Sequence, residues 1–260
     1  MEVDIVMRYL DQIFGLSPAR YQVILALGYL MGTALAVVRG RRRGLSPTTM
    51  LDAALAAALG GLLLGRGVYA GLNWTYFQDH LGEAARLWRG GLSAPGVIVG
   101  AGASVLILCR WQQIDPRPVL DAMAPGAASV SLAAWLACLA AGCAWGIEVW
   151  PDQGLLWHLQ AELPDLYGVR APRLPVQGMG IIWSAGLLLA TWLAERRGRP
   201  FPLWLALHAA GDLGFRFLRG DVTPVVGGLG PGQLGDLALL LLGLALWLTP
   251  IWRRDGDRVQ

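Results

Sequence analysis

"VLDAMAPGAASVSLAAWLACLAAGCAW", residues 119–145, contains a single charged side chain, Asp121. About 18 to 22 consecutive apolar residues are enough to cross the hydrocarbon core of a bilayer as a helix, and this run exceeds that. Its alanines, glycines and serines allow neighbouring backbones to approach closely, which predicts a position inside a helical bundle.

Working outward, six further apolar runs have comparable length: 22–38, 51–72, 95–110, 177–195, 201–219 and 233–252. Over 260 residues, 55% are hydrophobic and only 15% charged, a balance that excludes an ordinary soluble domain. The expected fold is all-α: a polytopic integral membrane helical bundle of about seven transmembrane helices. No internal repeat or long linker divides the chain, so residues 1–260 read as one membrane domain. The small-residue spans 51–72, 95–110 and 119–145 are expected to form its interior, and the Leu-rich 233–252 to face lipid.

All 21 basic residues are arginine, and the formal net charge is +3. They gather as "RGRRRG" (39–44), "CRWQQIDPRP" (109–118), "ERRGR" (195–199) and "WRRDGDR" (252–258), after the first, third, fifth and last spans. Arginine-rich loops stay cytoplasmic, which places the N-terminus outside and the C-terminus in the cytoplasm. The basic charge is thereby accounted for without nucleic acid. The segments 73–94 and 146–176 fall outside, and their Trp and Tyr content suits the lipid headgroup region. Residues 1–18, "MEVDIVMRYLDQIFGLSP", read as a short amphipathic interfacial segment, with Asp4, Arg8 and Asp11 interrupting any cleavable signal core.

Cys109, Cys138 and Cys143 lie in or beside spans without metal-like spacing, and read as small packing residues. No G-x-S-x-G elbow, Walker loop or H-E-x-x-H motif is present, so neither a metal nor a cofactor is expected.

The chemistry concentrates in "LALHAAGDLGFRFLRGD", residues 205–221. Steps of four residues keep His208, Asp212 and Arg216 on one stripe of a helix, each costly to bury in a membrane. Asp212 can reach either neighbour by an i,i+4 contact. Arg66, in "LLGRGVYAGLNW", has no acidic residue within four positions, so its expected partner is a lipid phosphate or a distant carboxylate such as Asp121 or Asp212. Asp121 itself is explained by charge at a helix N-terminus. Gln177 opens a span after the outer loop, where it can cap the helix or donate to a headgroup.

In order along the chain, "RYQVILALGYLMGTALAVVRGRRRG", "GGLLLGRGVYAGLNWTYF", "RLWRGGLSAPGVIVGA", "LDAMAPGAASVSLAAWLACLAAGCAWG", "PRLPVQ", "LGFRFLRGD" and "GPGQLGD" resemble the prolipoprotein diacylglyceryl transferase family from about residue 20 to about 250. The resemblance implies a bacterial cytoplasmic (plasma) membrane enzyme that moves a diacylglyceryl group from phosphatidylglycerol, or another anionic phospholipid, to the cysteine of a prolipoprotein signal peptide. It implies Arg216 as a catalytic residue, and Asp212, peculiar to this chain's version of the motif, is expected to act with it. Arg66, Arg216, Gln177 and Tyr21 would bind the lipid headgroup.

The chain departs from the family pattern at four positions, one of them the acidic position after the arginine span, which is Gly220 with Asp221 next to it. Pro95 stands where "GG-[LM]-S-[FW]-H-G-G" has its histidine, Trp135 where "G-R-x-G-[NC]" has its arginine, and Leu174 where "R-H-P-[ST]-Q" has its histidine. His80 and His158, both in the outer segments, are the histidines that could stand in for the missing base. Three readings therefore stay open: a transferase with altered chemistry, a non-catalytic lipid- or partner-binding relative, and a transporter or proton pathway along the stripe.

Overall fold

The computed structural model describes residues 16–87, 90–165, 168–194, 199–221, 228–249 and 252, with side chains from residue 20. The amphipathic segment expected at the N-terminus lies largely outside them. Seven long helices follow one another: α1 (Leu16–Arg42), α2 (Pro47–Leu72), α5 (Ala94–Gln112), α6 (Pro116–Ala141), α8 (Val176–Leu193), α9 (Pro200–Leu218) and α10 (Pro231–Leu248). Between them lie the one-turn helices α3 (Trp74–Phe77), α4 (Leu81–Ala84) and α7 (Leu155–His158), and a hairpin of β1 (Ala161–Pro164) and β2 (Arg170–Arg173). Six of the long helices are long and apolar enough to cross a membrane; α9, with its polar stripe, is the seventh of similar length.

The helix starts are written in the sequence. α2, α5, α6, α9 and α10 each carry proline in the first turn, where its fixed φ fits and its missing N–H is no loss. Ser46, Ser93 and Asp115 then cap α2, α5 and α6, accepting from the N–H groups of Thr49, Gly96 and Arg117 at 3.0, 3.3 and 3.0 Å. At Asp115 the Arg117 guanidinium holds the carboxyl below the usual carboxylate range.

α6 is the axis of the bundle. Over half of its apolar window, 56%, is buried, against 17–33% for the other spans. α1 lies along it, with Gly32 and Gly126 so close that a Cβ on either would meet the other's carbonyl at 2.6 or 2.4 Å. At the same interface the Ser129 hydroxyl donates to the Gly28 carbonyl at 3.2 Å. The expected interior is thus only partly correct. α2 and α5 do pack tightly, through Gly60 and Gly100, but on each other at the side of the bundle, while α1 and α8 flank α6. α10 is two-faced, with Leu241 and Leu248 exposed but Gln233, Asp236 and Leu239 buried against its neighbours. The exposed Leu27, Leu63, Ile107, Ile182 and Leu193 belong to the belt that a lipid solvent would cover.

At one end of the bundle, the Asp121 end, a carboxylate ties four segments together. Asp121 is 3% exposed, and its Oδ1 accepts from the Phe201 N–H and the Trp252 indole, both at 3.1 Å. Its Oδ2 pairs with Arg43 at 3.4 Å. The residue expected to serve the start of its own helix instead caps α9, whose first turn has no side-chain cap of its own.

At the opposite end, Cys138 and Cys143 are joined in a disulfide across the end of α6, where Gly142 adopts φ +73°. Their reading as packing residues is therefore corrected. Cys109 remains a free, buried thiol.

Candidate active site

The polar stripe of α9 opens toward the disulfide end. His208, Asp212 and Arg216 share one face as the spacing predicts, but they do not form a single chain of contacts. His208 Nε2 faces Asp212 Oδ2 at 3.8 Å, and His208 Nδ1 lies 3.3 Å from the Ser131 hydroxyl of α6. The Trp204 indole stacks on the imidazole with centroids 5.2 Å apart. Arg216 turns the other way, and its Nε donates to Asp236 Oδ2 of α10 in a close ion pair.

Asp236 is 2% exposed, so the pair neutralises two charges that the bundle could not bury singly. The approach is possible because Gly232, one turn earlier on α10, leaves the space its Cβ would take from the Arg216 guanidinium, 2.5 Å away. Asp212 and His208 also lie within electrostatic reach of Asp236. Of the two neighbours within its i,i+4 reach, Asp212 faces His208, while Arg216 pairs across to α10. Asp236 was legible as the last residue of the family-like "GPGQLGD" stretch but not as the partner of Arg216, and Ser131 carried no signal at all.

Pro95, standing where the family pattern has a histidine, packs on Gly235, the neighbour of Asp236. That position thus lies against α10, and its occupant here cannot titrate. Trp135, at the arginine position, and Leu174, at the second histidine position, meet in one apolar cluster with Val149 and Val176. Trp135 lies over Gly180 of α8 and edge-on to Phe215, 5.4 Å between centroids.

Arg66 is buried at 7% exposure and makes a different set of bonds from the one expected. Its Nε donates to the Ala84 carbonyl at 2.8 Å, NH1 to Gly90 and Gly91 at 2.5 and 2.9 Å, and NH2 to Glu83 at 2.6 Å. Four of its five N–H donors are committed to α4 and the turn that precedes α5. Gly91 sits at φ +79°, and a Cβ there would overlap Tyr69 and Arg66, which fixes glycine at that turn. Neither Asp121 nor Asp212 is the partner of Arg66; backbone carbonyls are.

Gln177, 4% exposed in the first turn of α8, donates to the Cys143 carbonyl at 3.0 Å, beside the disulfide. Arg173 closes the same end by pairing with Glu148 at 2.8 Å and Asp165 at 3.4 Å. Tyr21 lies two turns before Gly28, which packs on Ala133, and so points α1's first turns toward the Cys138 end of α6. His80 is exposed and stacks on Tyr76, and His158 is exposed on α7. The structure thus unites Arg216, Asp212 and His208 with Asp236 and Ser131. It holds Arg66, Gln177 and Tyr21 on other elements around that end.

Comparison with known proteins agrees with this architecture. Residues 9–249 match the family described as prolipoprotein diacylglyceryl transferase. The chain is 26% identical to phosphatidylglycerol–prolipoprotein diacylglyceryl transferase 2 of Clostridium perfringens, covering 92% of this chain and 93% of that protein. It is 27% identical to the corresponding transferase of Geobacillus kaustophilus over 92% of each, and 29% identical to that of Staphylococcus saprophyticus over 97% and 94%. The chain is a multi-pass membrane protein and belongs to the prolipoprotein diacylglyceryl transferase family.

Proposed function

We propose that this protein transfers a diacylglyceryl group from phosphatidylglycerol to the cysteine thiol of a prolipoprotein, in the bacterial plasma membrane. The reading rests on one observation above all: a family match over residues 9–249 that contains a buried Arg216–Asp236 pair one turn from Asp212. Arg216 is held through Nε, so its two terminal nitrogens remain as a fork for phosphate oxygens. Asp236 keeps that guanidinium oriented, and Gln177 and Tyr21 line the approach from α8 and α1.

The disulfide end is assigned to the outside. Arginine clusters favour the cytoplasm for the Asp121 end, and disulfides persist in oxidising compartments such as the cell exterior. In that orientation residues 73–94 and 146–176 lie at the outer headgroup level, and Arg66 fastens the first of them. The phosphate would then enter at the level of Arg216 with its acyl chains directed toward Asp212.

Complementation tests this function. A bacterium depleted of its own transferase is supplied with this protein or with Arg216→Ala, and the mass of a reporter lipoprotein is read. A diacylglyceryl mass increase that Arg216→Ala abolishes is expected. No increase from well-folded protein, tested with the lipoprotein and phosphatidylglycerol of its own source, overturns the reading in favour of a lipid-binding relative.

A further inference from the structure

Among the described residues, His208 is the histidine carried by a long helix, α9, and each of its ring nitrogens faces a polar side chain. The Ser131 hydroxyl donates to the Ala127 carbonyl at 3.1 Å, and its oxygen lies 3.3 Å from His208 Nδ1, which orients the imidazole. The other ring nitrogen, Nε2, faces Asp212 Oδ2, 3.8 Å away. A carboxylate set beside an imidazole in this way can take up one proton and share it.

We propose that Asp212 and His208 form the proton acceptor of the transfer reaction, in place of the histidine that Pro95 replaces. This rests on the diacylglyceryl transfer proposed above. In that reaction the substrate thiol sulfur forms a bond to the glycerol carbon of the diacylglyceryl group. The bond from that carbon to the phosphate oxygen breaks, and its electron pair leaves with glycerol phosphate. The thiol proton passes to Asp212 and is shared with His208 Nε2, and it returns to bulk water when the product leaves.

The placement fits an in-line displacement. A rise of about 1.5 Å per residue puts Asp212 about 6 Å below Arg216 along α9, and His208 about 12 Å below it. With phosphate at Arg216, the carbon under attack lies on the acyl-chain side, and the sulfur approaches from beyond it at about 3–3.5 Å. The thiol proton is then delivered at the level of Asp212.

The charges around the dyad are few. α9 itself contributes Asp212 and Arg216, and α10 contributes Asp236, already paired with Arg216. α6 presents Ser131 and, at the far end of α9, Asp121, which is bound to the Phe201 N–H. α8, Val176–Leu193, carries no charged or titratable side chain. With a neutral imidazole, the group formed by Arg216, Asp236, Asp212 and His208 has one negative charge in excess, and a single proton cancels it. Burying an unbalanced charge in a membrane is costly, which favours the proton's transfer.

The test is a pH profile of turnover with purified protein in phosphatidylglycerol micelles and a synthetic lipobox peptide, comparing wild type, Asp212→Asn, His208→Gln and Ser131→Ala. Phosphatidylglycerol binding is followed in parallel. Expected are a loss of about 10²–10⁴-fold in turnover for Asp212→Asn, and a displaced acid limb for His208→Gln with lipid binding kept. Ser131→Ala retains both titrating groups and displaces the limb by freeing Nδ1. Wild-type turnover with unchanged profiles in His208→Gln and Asp212→Asn overturns the dyad and leaves the transferase reading standing. Absence of product from wild type overturns the transferase reading itself, and the dyad's role falls with it.

Discussion

Arg216 of α9 is paired with Asp236 of α10, twenty residues on, and not with Asp212, the carboxylate one turn before it on its own helix. The choice separates two tasks. Asp236 is buried and fully committed to holding the guanidinium, whereas Asp212, 18% exposed at its side chain, stays available to the space below it.

The pair sets the first prediction. Asp236→Asn leaves the Arg216 charge in the membrane without its counter-ion, and breaking one side of a buried pair costs about 3–5 kcal/mol. Thermal unfolding in detergent should show that loss, and lipid-modified product should vanish with it. The double variant Arg216→Met with Asp236→Leu removes both charges and should recover most of the stability but none of the product. A stable Asp236→Asn protein with full turnover would sink the role given to this pair.

Arg66 leads to a second prediction. Its guanidinium spreads four hydrogen bonds over Glu83, Ala84, Gly90 and Gly91. A lysine has three donors on one atom and cannot span those carbonyls. Arg66→Lys should therefore raise hydrogen exchange and protease cleavage across residues 83–91 while the helical signal persists. Gly91→Ala should do the same from the other partner, because its φ of +79° and its contact with Tyr69 leave no room for a Cβ. Unchanged exchange in both variants would mean that this segment is held by other contacts.

Much of the fold was legible because a membrane reduces the problem to lengths. Each of the seven apolar runs became one helix, with ends a few residues from those expected, since proline and serine mark the starts. Packing partners were less legible. Small residues announced close approach in α2, α5 and α6, but composition cannot say which helix approaches which, and α1 proved to be the partner of α6. The site followed the same division. The α9 stripe was plain from four-residue spacing, whereas Asp236, Ser131 and the carbonyl ligands of Arg66 come from elsewhere in the chain. Only tertiary packing brings them in.

The disulfide supports a third prediction. Cys138 and Cys143 close a short loop at the end of α6, and Gln177 donates to the Cys143 carbonyl within it. Loop-closure entropy assigns such a crosslink about 2 kcal/mol. In denatured, unreduced protein one cysteine, Cys109, should take up alkylating reagent, rising to three after reduction. Cys138→Ser with Cys143→Ser should lower the melting temperature and loosen residues 143–149. Alkylation of all three cysteines in freshly prepared, unreduced protein would exclude the crosslink, and with it this support for placing the end of α6 outside.

Asp121 supports the last prediction, at the end of the bundle away from the chemistry. One carboxylate serves the Phe201 N–H, the Trp252 indole and the Arg43 guanidinium at once. Asp121→Asn keeps the size and one acceptor but removes the charge, so the Arg43 pair and the charge-assisted cap of α9 weaken together. Because both partners of the ion pair are buried, with side chains 6% and 3% exposed, surface screening does not soften the loss. A destabilisation of about 3 kcal/mol is expected. Arg43→Met combined with Asp121→Asn should be less destabilising than the sum of the single changes, because the single changes share one broken contact. Turnover per folded molecule should stay near wild type, since Asp121 meets α9 at Phe201 while the site occupies residues 208–216. Strict additivity in that cycle would show that Arg43 and Asp121 do not interact, and a large drop in turnover of fully folded Asp121→Asn would show that the two ends of α9 are coupled.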